Sequence, residues 1–337
     1  MNEAITFDDV LIIPKFSKVK SRKDLSLRSQ VRVNGGINFY LNVPIIASNM
    51  DTICEGKMAS KMADLGGCGI LHRNMTHDRL KEDIKMLHDQ NRMPIVAVGG
   101  IHTDKEKIDA FMHAGIVFCV DMAHGHSQNM KDTLEYICSQ KSHPVIIAGN
   151  VCTPLGASEL QEWGADIVKV GIGSGSVCTT RIKTGCGFPQ LQAIMNIREQ
   201  NWEVPIIADG GLRTPGDCAK ALAAGADFVM LGGMLAATDC TPGWIDGNIG
   251  QELPFRGMAS EGAKGHKTHV EGEEVFLKAK SRGSTEAVIL DVCDGIKSAM
   301  SYVGASTLDE LRLKTEFVRV TNAVHVENQP HKVYDVE

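Results

Sequence analysis

The chain has 337 residues, a formal net charge of −6, 43% hydrophobic and 23% charged residues. Those proportions are ordinary for a globular enzyme, and the acidic balance argues against a nucleic-acid partner, which usually needs a basic face for phosphates. No apolar run approaches the roughly 20 residues of a membrane span, and Met1 leads into polar residues without a signal-like core, which predicts a soluble, cytoplasmic chain with no membrane partner.

Eight short apolar runs recur along the chain. They are Pro44–Met50, Gly66–His72, Pro94–Gly100, Ile116–His124, Pro144–Asn150, Ile167–Gly173, Pro205–Gly211 and Phe228–Met234. Each is nearly continuous in Val, Ile, Leu or Ala, the composition of a parallel strand buried on both faces. Stretches of helical periodicity lie between most of them, for example Pro154–Trp163 and Gly216–Ala224. Eight repeated βα units predict a (β/α)8 TIM barrel spanning residues 1–337 as one catalytic domain. A doubly wound open sheet is the competing fold. It would carry a Gly-rich fingerprint on its first strand, where this chain has Asn49-Met50-Asp51-Thr52.

Barrel enzymes work at the C-terminal ends of their strands, so those positions should hold the chemistry. Here they read Asn49/Asp51, His72/Arg73, Asp121/His124, Asn150, Gly173/Ser176, Asp209-Gly210-Gly211 and Gly232-Gly233. Turn glycines and helix caps explain any one of these, but the set together less well. The paired glycines after the seventh and eighth runs predict a phosphate site, because a bare main chain can approach an anion closely. Asp209 is placed to accept hydrogen bonds from a sugar diol. The segment Gly171–Gln190 (GIGSGSVCTTRIKTGCGFPQ) fills the gap between runs six and seven. Within it, Cys178 is flanked by hydroxyls and Arg181, a setting that favours a nucleophilic thiolate. The other nine of the ten cysteines read as structural, Cys68, Cys119, Cys186 and Cys293 among them.

GSVCTTRIKTG resembles the catalytic loop of the IMP dehydrogenase and GMP reductase family. The likeness extends through FDDVLIIPKFS (7–17), NMDT (49–52), GADIVKVGIG (164–173), IIADGG (206–211), GGM (232–234) and SYVGAS (301–306). The resemblance implies a covalent bond from Cys178 to C2 of a purine, with Thr180 moving protons. It implies a monovalent cation, K+, on the carbonyls of Gly173, Gly175 and Cys178, with Arg181 nearby, and a homotetramer. It puts the purine nucleotide on Ser176, Asp209, Gly210, Gly211, Gly232 and Gly233, with the base against Gly257, Met258, Ala259 and Gly272. It puts a dinucleotide on Ser21, Arg22, Arg73, Asp121, Met122, Ala123, Ile172 and Gly173.

Two reactions share the cysteine loop. The family's dehydrogenases usually carry a large regulatory domain after the second strand, whereas only about 20 residues separate His72 from Pro94 here. NMDT resembles the reductase version of the first strand end. The segment 241–282 is expected to form a mobile flap; it lacks the Arg-Tyr pair with which dehydrogenases activate water. It carries Val270-Glu271-Gly272, similar to the reductase motif whose glutamate protonates the leaving ammonia. SEGAKGHKTHVEGEEVF (260–276) is most similar to the shorter bacterial reductases. The resemblance therefore implies a reductase that takes GMP and NADPH to IMP and ammonia. GILHRNM (69–75) and DMAHGHS (121–127) resemble the dehydrogenases, the second being shared with the shorter reductases, and a dehydrogenase without its regulatory domain is the alternative. A non-catalytic nucleotide sensor would have no use for a reactive thiol. His124 and His126 are expected as loop residues near the nicotinamide, His266 and His269 as solvated side chains, and residues 321–337 as a polar, partly disordered tail.

Overall fold

The computed structural model describes residues 3–33, 36, 38–142, 144–201, 203–246, 250–279, 282–321 and 323–328. Three short strands precede the main sheet: β1 (Val10–Ile12), β2 (Ser29–Arg32) and β3 (Asn38–Leu41). Then come β4 (Ile45–Ala47), β5 (Cys68–Leu71), β6 (Ile95–Val98), β7 (Val117–Asp121), β8 (Ile146–Val151), β9 (Ile167–Val170), β10 (Ile206–Asp209) and β11 (Phe228–Leu231). These eight are parallel to their neighbours and close into a barrel in the order β10-β11-β4-β5-β6-β7-β8-β9. The expected (β/α)8 barrel is therefore the fold, and the open-sheet alternative is excluded. All eight apolar runs form strands, though most run on past their strand at the C-terminal end into the loop that follows.

Helices alternate with the strands: α1 (Gly56–Asp64), α2 (His77–Asp89), α3 (Ile101–Phe111), α4 (Gln128–Cys138) and α5 (Pro154–Glu162). A short α6 (Thr180–Thr184) precedes α7 (Gln190–Gln200), and α8 (Pro215–Ala224) follows β10. Their starts are written in the sequence. Thr153 caps α5 ahead of Pro154, and Thr214 and Asp217 form a capping box at α8 with Pro215 in its first turn. Only α2 lies between β5 and β6, so no domain is inserted there.

Side chains alternate along each strand, so one set faces the helices and the other the lumen. Ile46, Ile70, Ile95, Val117, Ile147, Ile167, Ile207 and Phe228 belong to the lumen cluster, which Val31, Val33 and Leu41 of the β2–β3 hairpin region join. Phe39 meets Phe228 edge-on at 5.5 Å between ring centres, closing that end of the barrel. The opposite end is polar. Continuing the same period, Asp121 of β7, Lys169 of β9 and Asp209 of β10 occupy the top of the lumen.

After β11 the chain forms a flap of β12 (Glu252–Arg256), α9 (Glu261–Lys264) and β13 (Glu274–Lys278), with β12 and β13 paired antiparallel. This is the segment expected as a polar flap, and it carries a hairpin. Leu253 and Phe255 alternate inward along β12, which supplies the reason. The last described elements are α10 (Thr285–Val303), α11 (Leu308–Lys314), β14 (Phe317–Arg319) paired to β1, and α12 (Val324–Glu327). Most of the expected disordered tail, from residue 329 on, lies outside the described residues. Among the described residues no helix is long and apolar enough to cross a membrane.

Candidate active site

The C-terminal ends of the strands open into a cavity of about 420 Å³. Its floor and walls hold Ser176, Cys178 and Thr180 of the loop after β9, Asp209, Gly210 and Gly211 after β10, and Gly232 and Gly233 after β11. Gly257, Met258, Ala259 and Glu271 line it from the flap, Ile172, Gly173 and Gly175 from the loop after β9, and Arg73, Asp121, Met122 and Ala123 from the ends of β5 and β7. The barrel thus gathers most of the sequence-predicted residues into one space. The close approach of loop to strand depends on glycine. Gly210 has φ +95°, and a Cβ there would stand 2.5 Å from Ser174 Oγ.

Cys178 is half-buried, and its thiol donates to Thr180 Oγ1 at 3.2 Å. The Thr180 hydroxyl in turn donates to Glu271 Oε2 at 2.8 Å. The two segments that carry these groups are tied by their backbones. Thr179 N–H donates to the Glu271 carbonyl at 2.9 Å, and Glu273 N–H to the Val177 carbonyl at 2.8 Å. Cys178 and Gly272 form an antiparallel bridge, and Glu271 N–H reaches the Ala259 carbonyl at 3.0 Å. Gly272 therefore meets the nucleophile loop as backbone, outside the residues that line the cavity, and a Cβ on it would crowd Ser260 N at 3.0 Å. Arg256 fastens the flap to the first barrel strand through Asp51, with Nη2 2.7 Å and Nε 3.1 Å from Oδ2.

A thiol, a hydroxyl and a carboxylate in hydrogen-bonded sequence can move one proton along the line. The cysteine can lose its proton toward Glu271, and Glu271 can return it to a leaving group beside the sulfur.

The chain matches the family model described as "IMP dehydrogenase / GMP reductase domain" over residues 4–331. Curated relatives named GMP reductase, from Yersinia enterocolitica serotype O:8 / biotype 1B and Yersinia pestis (strain Pestoides F), are 40% identical to it over 328 residues. Those alignments cover 93% of this chain and 94% of each relative. The chain belongs to the IMP dehydrogenase/GMP reductase family. Both reactions in that description are oxidoreductions of a purine nucleotide, so the chain is an oxidoreductase.

Members of such a family need a nicotinamide cofactor, and the cavity has chemistry to suit one. Asn150 Oδ1 is buried without a hydrogen-bond partner, and Asn150 lines the cavity beside Asp121 and Met122. An orphaned acceptor of that kind suits a ligand hydroxyl or amide. Arg73 supplies positive charge on the same side and donates to the Asp121 carbonyl at 3.3 Å. Ser21 and Arg22 stand elsewhere. Ser21 caps a 3-10 turn by accepting from Lys23 N–H, and Arg22 donates to Ser301 Oγ at 3.3 Å at the end of α10.

For a cation, the carbonyls of Gly173, Gly175 and Cys178 are neutral oxygens of the right type. Three of them make about half of the six to eight oxygens typical of a hard ion such as calcium, and the Gly175 carbonyl already accepts from Cys178 N–H at 3.1 Å. Arg181 turns aside: its Nη2 donates to the Phe188 carbonyl at 2.6 Å. The loop fits a cation in part. Among the described residues no His, Cys, Asp or Glu cluster suits a metal. His126 pairs with Glu159 of α5 at 2.6 Å, and the nicotinamide neighbourhood expected for it and His124 does not include either among the cavity's lining residues. His269, expected to be solvated, is exposed yet lines the cavity mouth with Lys264. Cys186 is exposed, which does not suit the structural role expected of it.

Lys169 stands at the site as well, outside the residues expected from the sequence. Its ammonium is buried at the cavity floor, 2.5 Å from Asp121 Oδ1 and 3.0 Å from Asp209 Oδ2. The signal was available: a lysine in the apolar run IVKVGIG, in phase with the lumen-facing Ile167.

Proposed function

We propose that this chain is a GMP reductase: it converts GMP, NADPH and two protons to IMP, NADP+ and ammonium, in the cytoplasm, as purine salvage requires. The observation that carries the reading is the hydrogen-bonded line Cys178–Thr180–Glu271, at 3.2 and 2.8 Å, in a flap without the dehydrogenases' Arg-Tyr pair. The name of the relatives at 40% identity supports it.

Cys178 gives up its proton along the line and adds to C2 of the guanine. Thr180 and protonated Glu271 hand that proton to the departing amine, which leaves as ammonia and takes its second proton from solvent. The C2–S bond remains as a thioimidate. A bound nicotinamide supplies the hydride to C2. Breaking the C–S bond then returns the thiolate and frees IMP. Asp209 accepts the ribose hydroxyls, and the main chain at Gly211, Gly232 and Gly233 with Ser176 receives the phosphate. Gly257, Met258 and Ala259 face the base.

NADPH is placed along Met122, Ala123, Ile172 and Gly173, with Arg73 offered to its 2′-phosphate. A monovalent cation, K+, on Gly173, Gly175 and Cys178 would order the loop, and the assembly is proposed as a homotetramer. The test is nicotinamide absorbance with purified protein in both directions. NADPH oxidation with stoichiometric ammonia from GMP is expected. NADH formed from IMP and NAD+ instead would make the chain a dehydrogenase without a regulatory domain. Cys178→Ala should abolish turnover yet still bind GMP, and retained turnover would remove the covalent step.

A further inference from the structure

Four consecutive barrel strands contribute to one polar row across the top of the lumen. It runs from Asp121 of β7 through Asn150 of β8 and Lys169 of β9 to Asp209 of β10. Lys169 Nζ touches both carboxylates, at 2.5 and 3.0 Å, and Asn150 Nδ2 donates to Asp209 Oδ2 at 2.9 Å and to the Gly171 carbonyl at 2.7 Å. The lysine side chain is 3% exposed. Other groups facing the row are Arg73 and Asn49, both beside Asp121, and the Cys119 thiol one layer below.

Burial penalises every charge in this row. For Lys169 the two carboxylates outweigh burial and hold the ammonium above the ordinary lysine range. For Asp121 burial acts upward, but Lys169 and Arg73 outweigh it and keep the carboxyl below its usual range. Two carboxylates share one lysine, so neither can move without changing what the other feels. The row also spans the division of labour in the cavity, with Asp209 on the nucleotide side and Asp121 on the dinucleotide side.

We propose that Lys169 is a positioning residue that fixes Asp209 and Asp121 in one ionised row and couples substrate binding to cofactor binding through its ammonium. The proposal rests on the reading that GMP or IMP and NADP(H) share this cavity. Without the ammonium, two carboxylates would face each other across Asn150 in a low-dielectric site. Their mutual repulsion and burial would favour the protonated form of one of them. A protonated carboxyl is a poorer acceptor for a ribose diol, so nucleotide affinity would be lost as pH falls.

The experiment is calorimetric binding of IMP, with and without saturating NADP+, to wild type, Lys169→Met and Lys169→Arg. In wild type, NADP+ should raise IMP affinity by about fivefold or more, within the usual range of ligand coupling; Lys169→Met should lose that factor. The Lys169→Met to wild-type affinity ratio, which cancels titration of the IMP phosphate, should fall about tenfold from pH 7 to pH 5. Lys169→Arg, which keeps the charge, should hold the ratio constant. A ratio independent of pH in Lys169→Met, or coupling that survives there, would overturn the proposal. Should Lys169→Met fail to fold, Lys169→Gln serves: it keeps a polar group but not the charge, so it should show the same loss of coupling to NADP+ and the same fall of the affinity ratio with pH. Undiminished coupling in Lys169→Gln would equally overturn it. Wild type that binds both ligands but does not turn over GMP would sink the reductase reading alone and leave the coupling measurement standing.

Discussion

Glu271 Oε2 lies 2.8 Å from Thr180 Oγ1 across 91 residues of sequence, one on the flap and the other two residues beyond the nucleophile. The approach is held by main chain on both sides of the glutamate. Its carbonyl accepts from Thr179 and its N–H donates to Ala259. Flap and catalytic loop therefore form one hydrogen-bonded unit that carries the carboxylate to the threonine.

That arrangement separates two steps that share an intermediate. Glu271→Gln keeps shape and hydrogen bonding but cannot carry a proton. It should slow ammonia release by on the order of 100-fold or more, the usual weight of a positioned acid-base group. Hydride transfer from IMP to an NADP+ analogue still needs the thiol proton removed but expels no amine, so it should slow less than ammonia release. Stopped-flow traces of the two half-reactions make the comparison, and equal slowing would end the leaving-group role.

The strands were legible because a parallel strand covered on both faces is an apolar run, and nothing else in this chain looks alike eight times. The same habit hid Lys169: once IVKVGIG reads as a strand, its lysine passes as noise. A buried charge requires a partner, and that requirement was the missed signal. The hairpin of the flap was also in the text, as alternation in ELPFR, but the surrounding glycines and charges outweighed it. The Asp51–Arg256 tether, 205 residues apart, had no local signature. Ser21 and Arg22 came from resemblance alone, and the fold of this one chain sets them against α10.

Arg256 joins β12 to Asp51 after β4, and Asp51 is nearly buried while Arg256 keeps some exposure. Removing the guanidinium leaves that carboxylate unpaired and frees the base of the hairpin. Arg256→Met should therefore lower kcat for GMP by about tenfold to a hundredfold by loosening the seat of Glu271, since small misplacement of a catalytic group has that cost. The nearly buried Asp51 carboxylate loses its counter-charge in the same variant, so the urea midpoint should fall as well, and kcat is read per folded active site. Full kcat in Arg256→Met would mean that the backbone bridge at Cys178 and Gly272 suffices to hold the flap.

Two thiols near the barrel lumen make stability sensitive to alkali. Burial pushes Cys68 and Cys119 up to about 12, against an ordinary value of 9.0. The sign follows from which state gives up protons first. Both folded pKa values are raised, so their stabilising contribution is full below about pH 9 and is lost as pH climbs toward 12. Each thiol removes at most about 1.4 kcal/mol per pH unit in that window. Urea unfolding at pH 8, 9 and 10 should show falling stability, and Cys119→Ala should flatten the slope. An unchanged slope in that variant would assign the loss to other groups.

The far end of the barrel carries its own charge cluster, with a different purpose. Asp227, just before β11, accepts from Arg198 Nη2 at 2.8 Å, Arg312 Nη2 at 3.1 Å and the Ile206 N–H at 2.8 Å. It ties α7, α11 and β10 to the start of the last barrel strand. Burial pulls Arg198 down and Asp227 opposes that, so deleting the carboxylate leaves a buried guanidinium without its counter-charge. Asp227→Ala should cost about 3–5 kcal/mol of stability, the usual penalty for breaking a buried pair from one side. The N-terminal face of a barrel contributes stability and the C-terminal face chemistry. Turnover per folded active site, counted by titrating Cys178, should therefore stay within about twofold of wild type, well below the tenfold that 1.4 kcal/mol would bring. A loss of kcat/KM with an unmoved urea midpoint would contradict this division and imply that the two ends of the lumen communicate.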